Sequence, residues 1–264
     1  MARTPYPARQ AAGPAGGILG GNYPTPGYGL GIGGFRIHDD FIGQVDKADC
    51  HTELRWDVAD FSSGLTLSEE YDGATELGIM RAHTGSSAGA GGHVWLDSAL
   101  FMGGMPVGLA FAAKLRGTNA TPASLSTQVW SGLIDQVTDE PSTANARSFV
   151  GFRGKSNGTV VRWYGLLKDG ALAANETTVD LGYNVDDTWR IFGCRRTATG
   201  VQFFEVDASK MDRYGYLITD IGAEVTTNIP TANLLPVCLG MHNGAASGES
   251  FEIDFYTLAG TIAR

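Results

Sequence analysis

The sequence predicts an all-β protein, an antiparallel two-sheet β-sandwich of the jelly-roll kind preceded by an extended N-terminal arm. Three observations carry this. Past residue 39, short runs rich in Val, Ile, Phe, Trp, Tyr and Thr alternate with clusters of Gly, Asn, Asp and Ser. Beyond one short turn, no stretch keeps the 3.6-residue apolar period of a helix, so eleven to thirteen strands without crossover helices must pack sheet on sheet. The first 34 residues, in contrast, hold ten Gly and five Pro, half of the chain's prolines.

The arm is assigned to residues 1–38. Ordering its backbone costs roughly 1–2 kcal/mol per residue, and it has few core-forming side chains to offset that. Tyr6, Ile18, Leu19, Tyr23, Tyr28, Leu30 and Ile32 stand in it as separated apolar anchors, and Arg3 and Arg9 add charge. Glycine lets such a backbone lie flat and proline keeps it extended, so the segment reads as a strap whose anchors fill small pockets on another surface. The domain that follows, residues 39–264, carries candidate strands at 76–82, 93–96, 107–115, 126–134, 149–152, 160–167, 177–181, 189–196, 201–207, 236–241 and 250–258. Lys155-Ser-Asn-Gly158, Thr197-Ala-Thr-Gly200 and Lys168-Asp-Gly170 read as hairpin turns in which Asn or Gly supplies positive φ. In the strand at 107–115 the bulky residues Val107, Leu109, Phe111 and Leu115 alternate with small ones, the period of a strand with one face on the core. Arg162 and Tyr164 fall opposite Val161 and Trp163, giving that strand a polar and aromatic outer surface. Residues 209–222 read as an inserted loop.

Composition excludes several classes. With 264 residues, 43% of them hydrophobic, the chain can bury a sizeable core. No apolar run reaches the ~18–20 residues of a membrane span, and the N-terminus lacks the apolar region of a signal peptide. The net charge is −9, with +3 on residues 1–38 and −12 on the rest. Three arginines spread over 38 residues are too thin a footprint for nucleic acid, and an acidic body repels it, so an acidic protein surface is the expected partner of the arm. Cys50, Cys194 and Cys238 are odd in number and widely spaced, a pattern of buried thiols and not of a disulfide framework or zinc site. His38, His51, His83, His93 and His242 show no metal-ligand spacing, and Asp39-Asp40 and Asp186-Asp187 lack the loop that organises calcium. No cofactor and no catalytic residue is expected.

The order from Asp39-Asp-Phe-Ile-Gly43, through the hairpin Trp189 to Asp207, to the closing Glu249-Ser-Phe-Glu-Ile-Asp-Phe-Tyr-Thr-Leu258 resembles the concanavalin-like, laminin G-type jelly rolls of tailed-phage structural proteins. Pro236 at the penultimate strand and Ile253-Asp-Phe255 in the last fit that pattern, and Ala208 departs from it where relatives have Gly after Asp. The resemblance covers residues 39–264, about 85% of the chain. It implies a non-enzymatic virion protein on the outer surface of a capsid: a decoration or cement protein, favoured as a homotrimer, whose arm grips the major capsid protein. Its alternative is a receptor- or glycan-binding head-fibre or tail-fibre module. A remote alternative is a glycoside hydrolase, since laminarinase-type jelly rolls use a Glu-x-Asp-x-x-Glu strand. Glu252 and Asp254 match its first two acids, but Thr257 stands where the acid/base Glu belongs, and retaining hydrolysis needs a carboxyl pair about 5–5.5 Å apart.

Overall fold

The computed structural model describes residues 34–39, 41, 56–61, 64–72, 76–96, 104–119, 122, 124–138, 140–141, 147–170, 175–212, 215–245 and 248–261. Their strands, in chain order, are β1 (Gly34–Asp39), β2 (Asp57–Asp60), β3 (Thr66–Asp72), β4 (Glu76–His83), β5 (Gly91–Trp95), β6 (Ala110–Gly117), β7 (Gln128–Ile134) and β8 (Phe149–Ser156). There follow β9 (Val161–Lys168), β10 (Glu176–Asn184), β11 (Arg190–Arg196), β12 (Val201–Asp212), β13 (Gly215–Val225), β14 (Leu235–His242) and β15 (Ser250–Thr261). An eight-stranded sheet runs β13-β12-β11-β6-β15-β4-β3, with β1 also paired to β15, and a seven-stranded sheet runs β10-β9-β8-β7-β14-β5-β2. All pairings are antiparallel, and the two sheets make a concanavalin-like jelly-roll sandwich.

Period-2 alternation decides what each sheet buries. Phe111, Ala113 and Leu115 of β6, Phe251, Ile253 and Tyr256 of β15, and Val150 and Phe152 of β8 point into one continuous core between the sheets. Phe152 forms its centre, 5.1 Å from Phe111 and 5.7 Å from Phe192 between ring centroids. The fully buried ring of Tyr256 has a hydroxyl to satisfy, and donates it across the sandwich to the Gly132 carbonyl at 3.1 Å. Burial raises its pKa well above the ordinary phenol range.

The entry to the body is fixed by Asp39. Its Oδ1 accepts from the Phe41 amide at 2.7 Å and its Oδ2 from the Trp56 indole at 2.7 Å, while Phe41 takes a positive φ of 53°. The Asp-Phe pair is thus a structural latch that seats Phe41 and Trp56 in the core. Asp186 is likewise a turn residue, accepting from the Thr188 amide at 2.9 Å.

Some sequence expectations change. Residues 209–222 are not an inserted loop: β12 and β13 form one long hairpin, with Val206 opposite Ile218 and Met211 opposite Tyr216. Val107 is not a core residue. It is 55% exposed, in a turn where Gly108 takes φ 85° and donates to the Arg196 carbonyl, so the strand alternation begins only at Leu109. The turn at 155–158 holds, with Asn157 Oδ1 accepting from the amides of Thr159 and Val160 and Gly158 at φ 96°. At 197–200 the glycine serves a different purpose. Gly200 has no positive φ, but a Cβ there would lie 2.5 Å from the Val225 carbonyl oxygen, so close strand approach excludes a side chain.

Candidate functional site

The last strand was the sequence's strongest enzymatic candidate, and its register decides the matter. β15 lies between β4 and β6, which puts Glu252 directly opposite Arg81 on one side and Arg116 on the other. Arg81 Nε donates to Glu252 Oε1 at 2.8 Å, its Nη2 reaches the same oxygen, and Arg116 Nε donates to Oε2 at 2.5 Å. Both carboxylate oxygens are thereby engaged, and the residue is 1% exposed. A bulge between Ile253 and Phe255 leaves Asp254 beside Lys114, 2.9 Å away. The Trp189 ring lies under both cations, 4.4 Å from Arg116 and 4.8 Å from Lys114. Thr257, in the position of the absent acid, is fully buried. The strand therefore holds an ion-pair lattice on the outer face of the eight-stranded sheet, not a carboxyl pair with an acid free to protonate a leaving group.

The outer face of the seven-stranded sheet carries a denser set of chemical groups. Register places Asp180, Tyr164, Arg153, Trp130, Gly240 and His93 in one row across β10, β9, β8, β7, β14 and β5. Trp130 lies flat over Gly240, where a Cβ would fall 2.1 Å from the indole nitrogen. Phe61 stacks on Trp130 with ring planes 14° apart and meets His93 edge-on at 4.8 Å. Val137 and Pro141 close this half of the row: His93 Nδ1 pairs with the Val137 carbonyl at 3.3 Å, and Arg153 Nη1 donates to the Pro141 carbonyl at 2.8 Å. Arg153 also donates to Gln128 and stands 4.0 Å from Glu176, which is 3.9 Å from Lys155. Burial pulls the Arg153 guanidinium and the Lys168 ammonium below their ordinary ranges, with Glu176 opposing the shift in both. Burial also raises the Asp135 carboxyl, against the smaller opposing effects of Ser148 and Arg147.

Next to that closed half runs an open strip. Arg162 faces Lys155 across β9 and β8, and Gln128 faces His242 across β7 and β14. Tyr164 lies one row in, and all five side chains are half-buried. Arg162 Nη2 is 3.3 Å from Asp180 Oδ1. The sequence did show Arg162 and Tyr164 on an outer face, as the structure finds. It did not single out Arg153, Glu176 or Trp130. For Arg153 a local signal existed: Phe149-Val-Gly-Phe-Arg-Gly-Lys155 alternates, and a cation in mid-strand opposite buried Val150 and Phe152 marks a polar outer face.

The arm residues named as partner-binding, Arg3, Tyr6, Arg9, Ile18, Leu19, Tyr23, Tyr28, Leu30 and Ile32, lie outside the described residues, as do Asp40, Cys50 and His51. Cys194 and Cys238 are buried in the core, where the Cys238 thiol donates to the Val94 carbonyl at 3.4 Å, and burial raises the Cys194 pKa well above its usual value. His83 pairs with Ser250 at 2.7 Å, on the other sheet from His93 and His242. Among the described residues no three His, Cys, Asp or Glu side chains are placed to hold a metal ion.

No family model and no curated protein matches the chain. Among solved structures, it is similar to a protein of unknown function from Shewanella oneidensis, at 11% identity over 89% of this chain and 91% of that one, with a TM-score of 0.57. It is also similar to an immunostimulatory antigen and pseudo β-1,3-glucanase of Mycobacterium tuberculosis (15% identity, 86% and 98% of the two chains, TM-score 0.49). A Bacillus licheniformis β-glucanase aligns at 10% identity over 89% and 100%, with a TM-score of 0.48. The expectation of a capsid decoration protein, with its fibre-module alternative, is corrected by this finding: these similar structures are described as a protein of unknown function and as bacterial glucanase-like proteins, none as a virion component, and at these identities the likeness shows the fold alone. That expectation rested on the arm and on a resemblance of strand order, and strand order specifies the sandwich without specifying its use.

Proposed function

We propose that the protein is a non-hydrolytic β-sandwich that binds a neutral saccharide chain along the open strip of its seven-stranded sheet. The observation that carries this reading is the pair of neighbouring rows in which the half-buried Tyr164 ring lies beside Arg162, Lys155 and Gln128. Pyranose rings present apolar C–H faces to an aromatic ring and hydroxyls to flanking planar donors and acceptors, the mixture a small-ligand site requires. Charge along the strip is balanced, with Arg162 against Asp180 and Lys155 against Glu176, which suits an uncharged chain. The last strand supports the non-hydrolytic part of this reading, since Glu252 and Asp254 are bound to Arg81, Arg116 and Lys114 and Thr257 stands at the third acidic position.

Affinity electrophoresis through a gel containing soluble β-1,3-glucan tests this. The wild-type protein is retarded, Tyr164→Phe is retarded nearly as much, and Tyr164→Ala runs as in a glucan-free gel. Unretarded wild-type protein, or equal retardation of Tyr164→Ala, overturns the reading.

A further inference from the structure

Arg153 stands where the closed half of the seven-stranded sheet's outer face meets the open strip. Register sets it directly opposite Tyr164 on β9 and Trp130 on β7, and Gln128 follows on the same outer face of β7, in the neighbouring row. A long side chain reaches such a diagonal neighbour. Arg153 is 3% exposed and spreads its fork between two partners: Nη1 donates to the Pro141 carbonyl at 2.8 Å, and Nη2 donates to Gln128 Oε1. Glu176, 4.0 Å away, opposes its charge.

This contact fixes the Gln128 amide. A guanidinium has donors and no acceptor, so only the carbonyl oxygen of the amide can face it, and the amide nitrogen is left on the side away from Arg153. Among the described residues nothing accepts from that Nε2. The side chain is half-buried, in the row it shares with His242 on the open strip. For Arg153 by itself a carboxylate would be the stronger partner; an amide adds what a carboxylate lacks, a donating side. Lys155 and Arg162, opposite each other on the same strip, can likewise only donate. Resting on the saccharide reading above, we propose that Arg153 is a positioning residue of the strip: it holds Gln128 Oε1, so that Gln128 meets the ligand as an oriented donor and selects a ring or hydroxyl oxygen that accepts. Arg153 acts through Gln128 and not by touching the saccharide.

The variant Gln128→Glu isolates the donor. Its carboxylate keeps the size of the amide and still accepts from Arg153, but the strip-facing group becomes an acceptor. In titration calorimetry with soluble β-1,3-glucan it should bind about tenfold more weakly than wild type, the loss expected for one hydrogen bond, with a melting temperature no lower. A second readout follows the amide itself: the side-chain NH2 signals of Gln128 in a nitrogen–proton correlation spectrum, identified by their absence from Gln128→Glu, should shift as glucan is added to the wild-type protein. Wild-type affinity in Gln128→Glu, while Tyr164→Ala fails to bind, would overturn this assignment and leave the saccharide reading standing. No binding by the wild-type protein would overturn both. A lower melting temperature in Gln128→Glu, or Gln128 amide signals that stay still at saturating glucan, would leave the residue a structural role only and overturn the proposal.

Discussion

Arg116 donates to Oε2 of Glu252 at 2.5 Å while its own guanidinium lies 4.4 Å from the centroid of the Trp189 ring. The pair converts the acid that a hydrolase would need free into the centre of a cross-strand brace, Arg81–Glu252–Arg116, tying β4, β15 and β6 together. Removing different members should have unequal costs. Arg116→Met leaves a carboxylate buried at 1% exposure with one partner fewer, and should lower stability by about 2–4 kcal/mol. Glu252→Gln leaves two arginines that can turn to water, and should cost about 1–2 kcal/mol. Urea denaturation of both variants measures the order, and a larger loss for Glu252→Gln would contradict the brace.

Asp135 sets a pH signature. Its carboxyl is raised in the folded protein by burial, so between the unfolded and folded values the native state holds more protons than the unfolded chain, and stability from this group falls as pH rises through the window. Asp135→Asn removes the titration. Relative to wild type, the variant should gain stability as pH rises above the unfolded aspartate value of about 3.9. Thermal melts at several pH values read the difference directly, and a difference that is flat with pH would rule out the burial effect.

Two glycines should respond differently to alanine. At Gly240 the new Cβ collides with the Trp130 indole, itself held beneath Phe61, and overpacking there should cost about 2–3 kcal/mol. At Gly158 nothing lies within 4 Å, and only the φ of 96° resists, so about 1–2 kcal/mol is expected. Urea midpoints compare them, and Gly240→Ala should also alter the tryptophan fluorescence, which Gly158→Ala should leave alone.

On the open strip, Arg162→Ala should weaken glucan binding about tenfold while changing stability by less than about 1 kcal/mol, because its ion pair with Asp180 is near the surface. Titration calorimetry with the same glucan, paired with a melt, separates lost contact from lost fold.

The eleven strands read from the sequence were all found, and the four that were missed, β1, β2, β3 and β13, share a position. β2, β3 and β13 end their sheets, and β1 sits off the main path against β15. An edge strand needs fewer apolar residues and carries more charge, as in Asp57-Val-Ala-Asp60 and Thr66-Leu-Ser-Glu-Glu-Tyr-Asp72, so its alternation is faint. β13 was hidden for the same reason, with Asp220, Gly222 and Glu224 giving it the look of a loop. The last strand's acids were legible as residues, but not as a brace. Arg81 and Arg116 lie 171 and 136 residues from Glu252, and only the β4-β15-β6 order brings them together. The outer row of the seven-stranded sheet was half legible for the same reason: alternation gives a side chain its face, while neighbours across a sheet come from topology.

The central claim, that this sandwich binds a saccharide chain without cutting it, is tested most directly by incubating the purified protein with soluble β-1,3-glucan and measuring bound glucan and newly released reducing ends in the same sample. The account predicts saturable binding that disappears in Tyr164→Ala and no reducing ends above the protein-free control. Release of sugar that is lost in Glu252→Gln, or no binding at any glucan concentration, would contradict it.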